Sequence, residues 1–127
     1  MKPTVIGLVG LAAALAAAPA FAHHSFAMFD NQKTITLEGT VTEFAWENPH
    51  SWVRVMGRDR DQPTTAPVVW NLEAGGVFIL KRQGWTRNSI KPGDKAVVTV
   101  HPLHNGDPGG SLIKITVNGT PVGDERG

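Results

Sequence analysis

Five histidines carry the most specific chemistry in this chain, which contains no cysteine. Imidazole nitrogen binds copper, zinc and nickel, and methionine sulfur adds a preference for cuprous ion. Without cysteine, neither a thiolate metal site nor a disulfide framework can form. Met28 and Met56 are candidate soft ligands. The candidate metal ligands for a copper-type ion are His23, His24, His50, His101 and His104.

The first 22 residues have the pattern of a cleaved export signal. Lys2 gives a positive start, an apolar run follows over residues 5–18, and Ala20 and Ala22 occupy the small-residue positions that signal peptidase reads. The run is shorter than the ~20 residues of a comfortable membrane span. Cleavage after Ala22 would make His23 the amino terminus. We therefore expect a periplasmic or secreted protein that does not span a membrane after cleavage.

A terminal histidine would offer two nitrogens to one metal ion, its α-amine and its imidazole. With a further imidazole this resembles the arrangement called a histidine brace, which is common in exported copper proteins. Because His24 follows directly, a site made of both imidazoles is an open alternative. The plain alternative is that all five histidines are solvated on surface loops.

Five segments of the remaining chain alternate apolar and polar residues with a period of two, which predicts β-strands. A short helix over residues 74–83 stands between the third and fourth strands, and Gly84 can end it. The order β-β-β-α-β-β predicts an OB-fold, an all-β five-stranded Greek-key barrel with one helix. An open β-sandwich is the alternative. The predicted strands are 34–46, 51–57, 68–73, 95–101 and 111–117.

These elements divide the chain into a signal peptide (1–22), a leader (23–33), one barrel domain (34–118) and a disordered tail (119–127). Gly39 lies inside the long first strand, where a barrel strand needs to bend. The phase of the last two strands is ambiguous. The predicted core is Val41, Val53, Val55, Val69, Val98, Val100, Ile113 and Ile115.

The predicted fold would gather several of the histidines. OB-folds bind ligands on the face of strands 2 and 3, bordered by the loops that join strands 1–2 and 4–5. His50 lies in the first of these loops, and His101 and His104 lie in the second. The leader over 23–33 can extend up to ~36 Å, which could bring His23 to the same surface. This predicts a periplasmic metal-binding protein, a carrier or sensor component that works with a periplasmic or membrane partner protein.

A second hypothesis involves no metal. Trp46, Trp52 and Trp70 could form a face that stacks on a ring-bearing small ligand or a partner protein. The competing interpretation is that these tryptophans belong to the core of a small barrel.

Other classes of function find little support. An enzyme is a third hypothesis, but the chain has no serine-nucleophile motif, phosphate loop or metalloprotease helix. Glu47 and Glu73 could act as acid and base only if they were paired in a pocket. The formal net charge of +1 falls to zero when Lys2 is removed with the signal, which excludes the basic footprint of a nucleic-acid binder.

Two segments resemble those of a known family. HHSFAMFD over residues 23–30 and ENPHSW over 47–52, together with the commoner KPGD turn over 91–94, are similar to a family of small exported bacterial proteins catalogued as a domain of unknown function. The resemblance covers essentially the whole chain after the signal. It implies a single exported domain, draws attention to His23, His24, Asn48, Pro49 and His50, and implies no activity, cofactor or mechanism.

The first prediction concerns processing. We expect the exported protein to begin at His23, because Ala20 and Ala22 match the peptidase pattern. The intact mass of material recovered from the periplasm measures this directly. A start at Ala22 would move the two histidines to positions two and three, and retention of residues 1–22 would remove the terminal amine from the metal hypothesis.

Overall fold

The computed structural model describes residues 27–124, so the predicted signal peptide and His23 and His24 lie outside the described residues. The described chain forms six strands and a short helix, α1. In residues 27–124, no helix is both long and apolar enough to cross a membrane. The elements are β1 (Ile35–Ala45), β2 (Trp52–Asp59), β3 (Val68–Glu73), α1 (Val77–Arg82), β4 (Lys95–Pro102), β5 (Gly109–Val117) and β6 (Thr120–Pro121).

Strand pairing closes the first five strands into a barrel. Antiparallel pairs give the order β3-β2-β1-β4-β5, and β3 then pairs in parallel with β5. That last pairing joins residues 71–73 to residues 109–111. The predicted barrel with one short helix between the third and fourth strands is confirmed, and the open sandwich is excluded.

β1 is long because it contributes to both sides of the barrel, pairing with β4 through its first half and with β2 along most of its length. Gly39 lies opposite Gly57 on β2. A Cβ atom on Gly39 would overlap the carbonyl oxygen of Met56 and lie 2.7 Å from the Cα of Gly57. The two strands can therefore approach this closely only because neither residue has a side chain. A bulge between Val41 and Glu43 adds to the bend.

The core lies inside the barrel and is built from the inward residues of all five strands. Six of the eight predicted core residues are buried, as are Leu37 and Leu72. The predictions for Val69 and Ile113 are wrong, since their exposures are 41% and 44%. Val69 lies three positions before the buried Leu72, so the alternation along β3 places its side chain on the outward face. In β5, a bulge opposite Thr99 and Val100 shifts the phase.

Helix α1 packs over the barrel through Leu80, which belongs to the core cluster together with Trp85. The helix is shorter than predicted because Gly76, with extended backbone, is its N-cap. It ends before Gly84, whose φ of 85° is a left-handed conformation that suits glycine.

Residues 120–124, which belong to the segment predicted to be disordered, pack against the barrel. Residues 120–121 pair with β5 as strand β6. The Asp124 N–H then donates to the Gln83 carbonyl at 2.7 Å, and a Cβ on Gly123 would overlap the Trp85 ring. The segment packs there because Val122 buries apolar surface against the core cluster, which includes Trp85.

The close approach of β1 and β2 generates a stability prediction. Gly39→Ala should lower the free energy of unfolding by roughly 1–3 kcal/mol, because the new methyl group meets backbone atoms that can move only if the strands separate. Urea denaturation measures the change. Lys114→Ala, an exposed position on β5, is the control and should change stability by less than ~0.5 kcal/mol. Equal stability of both variants would show that the strands tolerate wider spacing.

Candidate functional site

A pocket of about 550 Å³ opens where the leader, the β1–β2 turn, the end of β3, the start of α1 and β5 meet. We call it the His50 pocket. Its wall is mostly apolar, with a few polar side chains. The apolar lining is Phe29, Pro49, Ala74, Phe78, Ile79 and Leu112, and the polar side chains are Asn31, Asn48, His50, Glu73 and Ser111.

The central feature of the pocket is a contact between His50 and Glu73. The His50 Nδ1 atom lies 3.2 Å from Glu73 Oε1, with the imidazole 42% exposed and the carboxylate side chain 12% exposed. A carboxylate at this distance favours the tautomer that carries its proton on Nδ1. The lone pair of Nε2 is then available to a metal ion or to a hydrogen-bond donor.

The turn that carries His50 is fixed to the segment that follows β3. Ser51 is fully buried, and its hydroxyl accepts from the Glu47 N–H at 3.2 Å and donates to the Glu47 carbonyl at 3.1 Å. Its backbone N–H donates to the Gly75 carbonyl at 3.1 Å, and its carbonyl accepts from the Ala74 N–H at 2.8 Å. These bonds set the distance between His50 and Glu73, because Glu73 directly precedes Ala74.

A second connection runs from the turn to helix α1. The Asn48 side-chain Oδ1 accepts from the backbone N–H of Val77 at 3.0 Å, so a residue 29 positions away caps the helix. The Asn48–Pro49 peptide is cis. A Cβ on Gly76 would lie 2.7 Å from the Pro49 carbonyl oxygen, so this contact requires glycine. The turn and the helix start therefore form one continuous wall of the pocket.

The leader lies along the segment after β4 and forms the opposite wall. Phe29 is 6% exposed and forms a bridge with Leu103. The Asp30 N–H donates to the Pro102 carbonyl at 2.8 Å, and the His104 N–H donates to the Met28 carbonyl at 2.9 Å. Within the described part of the leader, Phe29 and Asn31 are the residues that line the His50 pocket.

The predicted metal ligands are not gathered at one point. His50 lines the pocket, whereas His101 Nδ1 donates to the Lys33 carbonyl at 2.8 Å and His104 lines a different pocket of about 480 Å³. In the described part of the chain, no group of three or more His, Asp or Glu residues could hold a metal ion. Met28 and Met56 are 47% and 41% exposed. His23 and His24 lie outside the described residues.

The three tryptophans of the second hypothesis do not share a face. Trp46 and Trp70 are partly buried against the core. Trp46 meets Phe44 edge-on, with ring centroids 5.8 Å apart, and the Trp70 indole donates to the Gly57 carbonyl at 3.2 Å. Trp52 alternates with the inward Val53 on β2 and so faces outward.

Sequence reasoning missed the partner of His50. The sequence suggests only Glu47 as a partner for Glu73, because 22 residues separate Glu73 from His50 along the chain. The signal that could have found it is the hairpin of β2 and β3, which places Glu73 opposite Trp52, two residues after His50.

The cap on α1 generates a prediction. Asn48→Ala should lower the free energy of unfolding by ~0.5–2 kcal/mol, because the Val77 N–H loses its acceptor. Asn48→Asp keeps a side-chain oxygen at the same place and is the matched control, with a loss well below that of alanine. Thermal and urea denaturation measure both. A similar loss for both variants would mean that the amide N–H₂ group, not Oδ1, is the important contact.

Comparison with known proteins gives one match. No curated protein and no solved structure shows a significant similarity to the chain. The model of the family described as "Family of unknown function (DUF6152)" matches residues 11–112, which includes the β1–β2 turn, Glu73 and the leader. The match covers most of the chain, and the protein therefore belongs to this family of unknown function.

Proposed function

We propose that this protein is an exported binding protein that holds a copper-type ion in the His50 pocket. The ligands would be Nε2 of His50 and nitrogens of His23 and His24. The observation that carries the proposal is the contact of His50 Nδ1 with Glu73 inside a mostly apolar pocket.

Glu73 supports a ligand role for His50 for a chemical reason. A histidine that binds a metal through one nitrogen commonly donates its other N–H to a carboxylate, which fixes the ring and makes the ligating nitrogen more basic. Glu73 is largely shielded from solvent and meets the Nδ1 atom. The imidazole lines the pocket and is 42% exposed, and Nε2 is the nitrogen that Glu73 does not contact.

The path of the leader supports the participation of His23 and His24. Phe29 and Asn31 line the His50 pocket, so the leader reaches the site. His23 lies six positions before Phe29, a length that spans at most ~20 Å when extended. After signal cleavage, the amine and imidazole of His23 would be within reach of His50.

We leave His101 and His104 out of the ligand set. The Nδ1–H of His101 already bonds to the Lys33 carbonyl, and His104 lines another pocket. Substitution of His104 is therefore a matched control for substitution of His50.

A second candidate function is the binding of a small organic ligand without metal. Its support is the pocket itself, which has the size and apolar lining of a small-molecule site with a few polar groups. In this pocket the apolar surface for the ligand comes from Phe29, Phe78 and Ile79, not from the tryptophans that the sequence predicted. In this case His50 Nε2 would accept a hydrogen bond from the ligand.

The metal proposal is tested by calorimetric titration of the chain beginning at His23 with cupric ion. We expect one ion per chain, with affinity falling in acid because imidazole must be neutral to bind. His50→Ala should weaken binding at least tenfold, or ~1.4 kcal/mol. Glu73→Gln should weaken it 10–100-fold, because the carboxylate orients the ligand.

Two matched variants control this experiment, and one further variant tests the terminal amine. His104→Ala and Glu47→Gln make the same chemical changes at residues that do not line the pocket and should bind as wild type. A chain extended by one residue before His23 should bind more weakly, because its amine is displaced. Unchanged affinity of His50→Ala would contradict the proposal. Unchanged affinity of the extended chain would remove the amine from the ligand set.

A further inference from the structure

We propose that helix α1 docks this protein on an anionic lipid surface. The face concerned, which we call the α1 face, consists of Phe78, Ile79, Lys81 and Arg82. Phe78 and Ile79 are 71% and 54% exposed, more than any other large hydrophobic residue in the described chain. This inference does not depend on metal binding.

The α1 face is presented rigidly. Leu80 is 3% exposed and anchors the helix in the core, whereas the α1 face is exposed. Asn48 bonds the helix start at Val77, and the Trp85 N–H bonds the Leu80 carbonyl at 2.9 Å near the helix end. The exposed apolar residues therefore cannot turn inward without breaking these contacts.

Basic side chains adjoin the exposed apolar ones. The guanidinium carbon of Arg82 lies 5.9 Å from the centroid of the Phe78 ring. Residues 74–93 contain four basic residues and no acidic one. The nearest acids in sequence are Glu73 and Asp94: Glu73 faces His50, and Asp94 accepts from Lys91 and Asn118. Asp124 adjoins the helix end through its N–H bond to Gln83.

This combination fits a membrane surface better than a protein partner. Aromatic and aliphatic side chains insert into the membrane at the level of the headgroups. Lysine and arginine side chains near the surface are attracted to anionic lipids. A stable protein interface needs ~800 Å² from each partner. The six residues of α1 are only ~9 Å long, which suffices for two inserted side chains but not for such an interface.

The test is co-sedimentation of the chain beginning at His23, without added metal, with phosphatidylcholine vesicles that contain or lack phosphatidylglycerol. We expect at least tenfold tighter binding to the anionic vesicles, and loss of this difference at high salt. Phe78→Ser with Ile79→Ser should weaken binding at least tenfold. Lys81→Glu with Arg82→Glu should do the same, and both positions are exposed, so the fold is retained.

The control replaces an exposed apolar and an exposed basic residue on β4, Val97→Ser with Lys95→Glu, and should bind as wild type. Equal binding to both vesicles, no binding, or unaffected α1 variants would overturn the proposal. Sedimentation velocity measures whether the protein is a monomer or a dimer in solution. A dimer that Phe78→Ser dissociates, without vesicle binding, would show that the α1 face joins two copies of the chain instead.

Discussion

The short parallel pairing of β3 with β5 is the contact on which the rest of this structure depends. It covers only residues 71–73 and 109–111, yet it converts a sheet with two open edges into a closed barrel. The approach is close, since a Cβ on Gly109 would lie 3.1 Å from the Asn71 carbonyl oxygen and 2.9 Å from Leu103. Two buried glycines at the start of β5 make that approach sterically feasible.

The candidate site follows from this closure. Glu73 is the last residue of β3 and lies opposite Ser111 on β5, so the closing pair forms the floor of the His50 pocket. Ser51, at the end of the β1–β2 turn, continues the β2–β3 pairing by bonding Ala74 and Gly75, and the leader pairs beside the end of β4. Three segments far apart in sequence meet at one end of the barrel because its strands end there.

Much of the fold could be predicted from sequence, because period-two alternation reports directly which strand residues are buried. The prediction failed where the alternation is interrupted. Ile113 lies at a bulge that reverses the phase of β5. Gly109 and Gly110 have no side chains to alternate, so their sequence predicts a loop although both belong to β5. A glycine pair has the same sequence pattern in a loop and in a tightly approached strand.

The site was harder to predict than the barrel. Its contacts depend on hydrogen bonds to backbone groups, and no pattern of side chains in the sequence shows where those bonds form. His50 was identified from the turn that holds it, but Glu73 and the cap from Asn48 required the three-dimensional register. His101 and His104 show the opposite case. They lie on the predicted strand and loop, but neither lines the His50 pocket. His101 bonds to the leader, and His104 lines a second pocket.

The position of His50 is set by polar contacts more than by packing. Pro49 and Asn48 are exposed, and the buried residue of the turn is Ser51, whose hydroxyl has both of its bonds within the turn. Each such bond contributes only ~1 kcal/mol net, but a buried donor or acceptor without its partner costs ~1–3 kcal/mol. The turn therefore has one low-energy arrangement on the β3–α1 connection, since moving it would break several bonds at once. The barrel thus holds the imidazole of a turn residue at a fixed distance from the carboxylate at the end of β3, because the same hydrogen bonds join the turn to the segment after that strand.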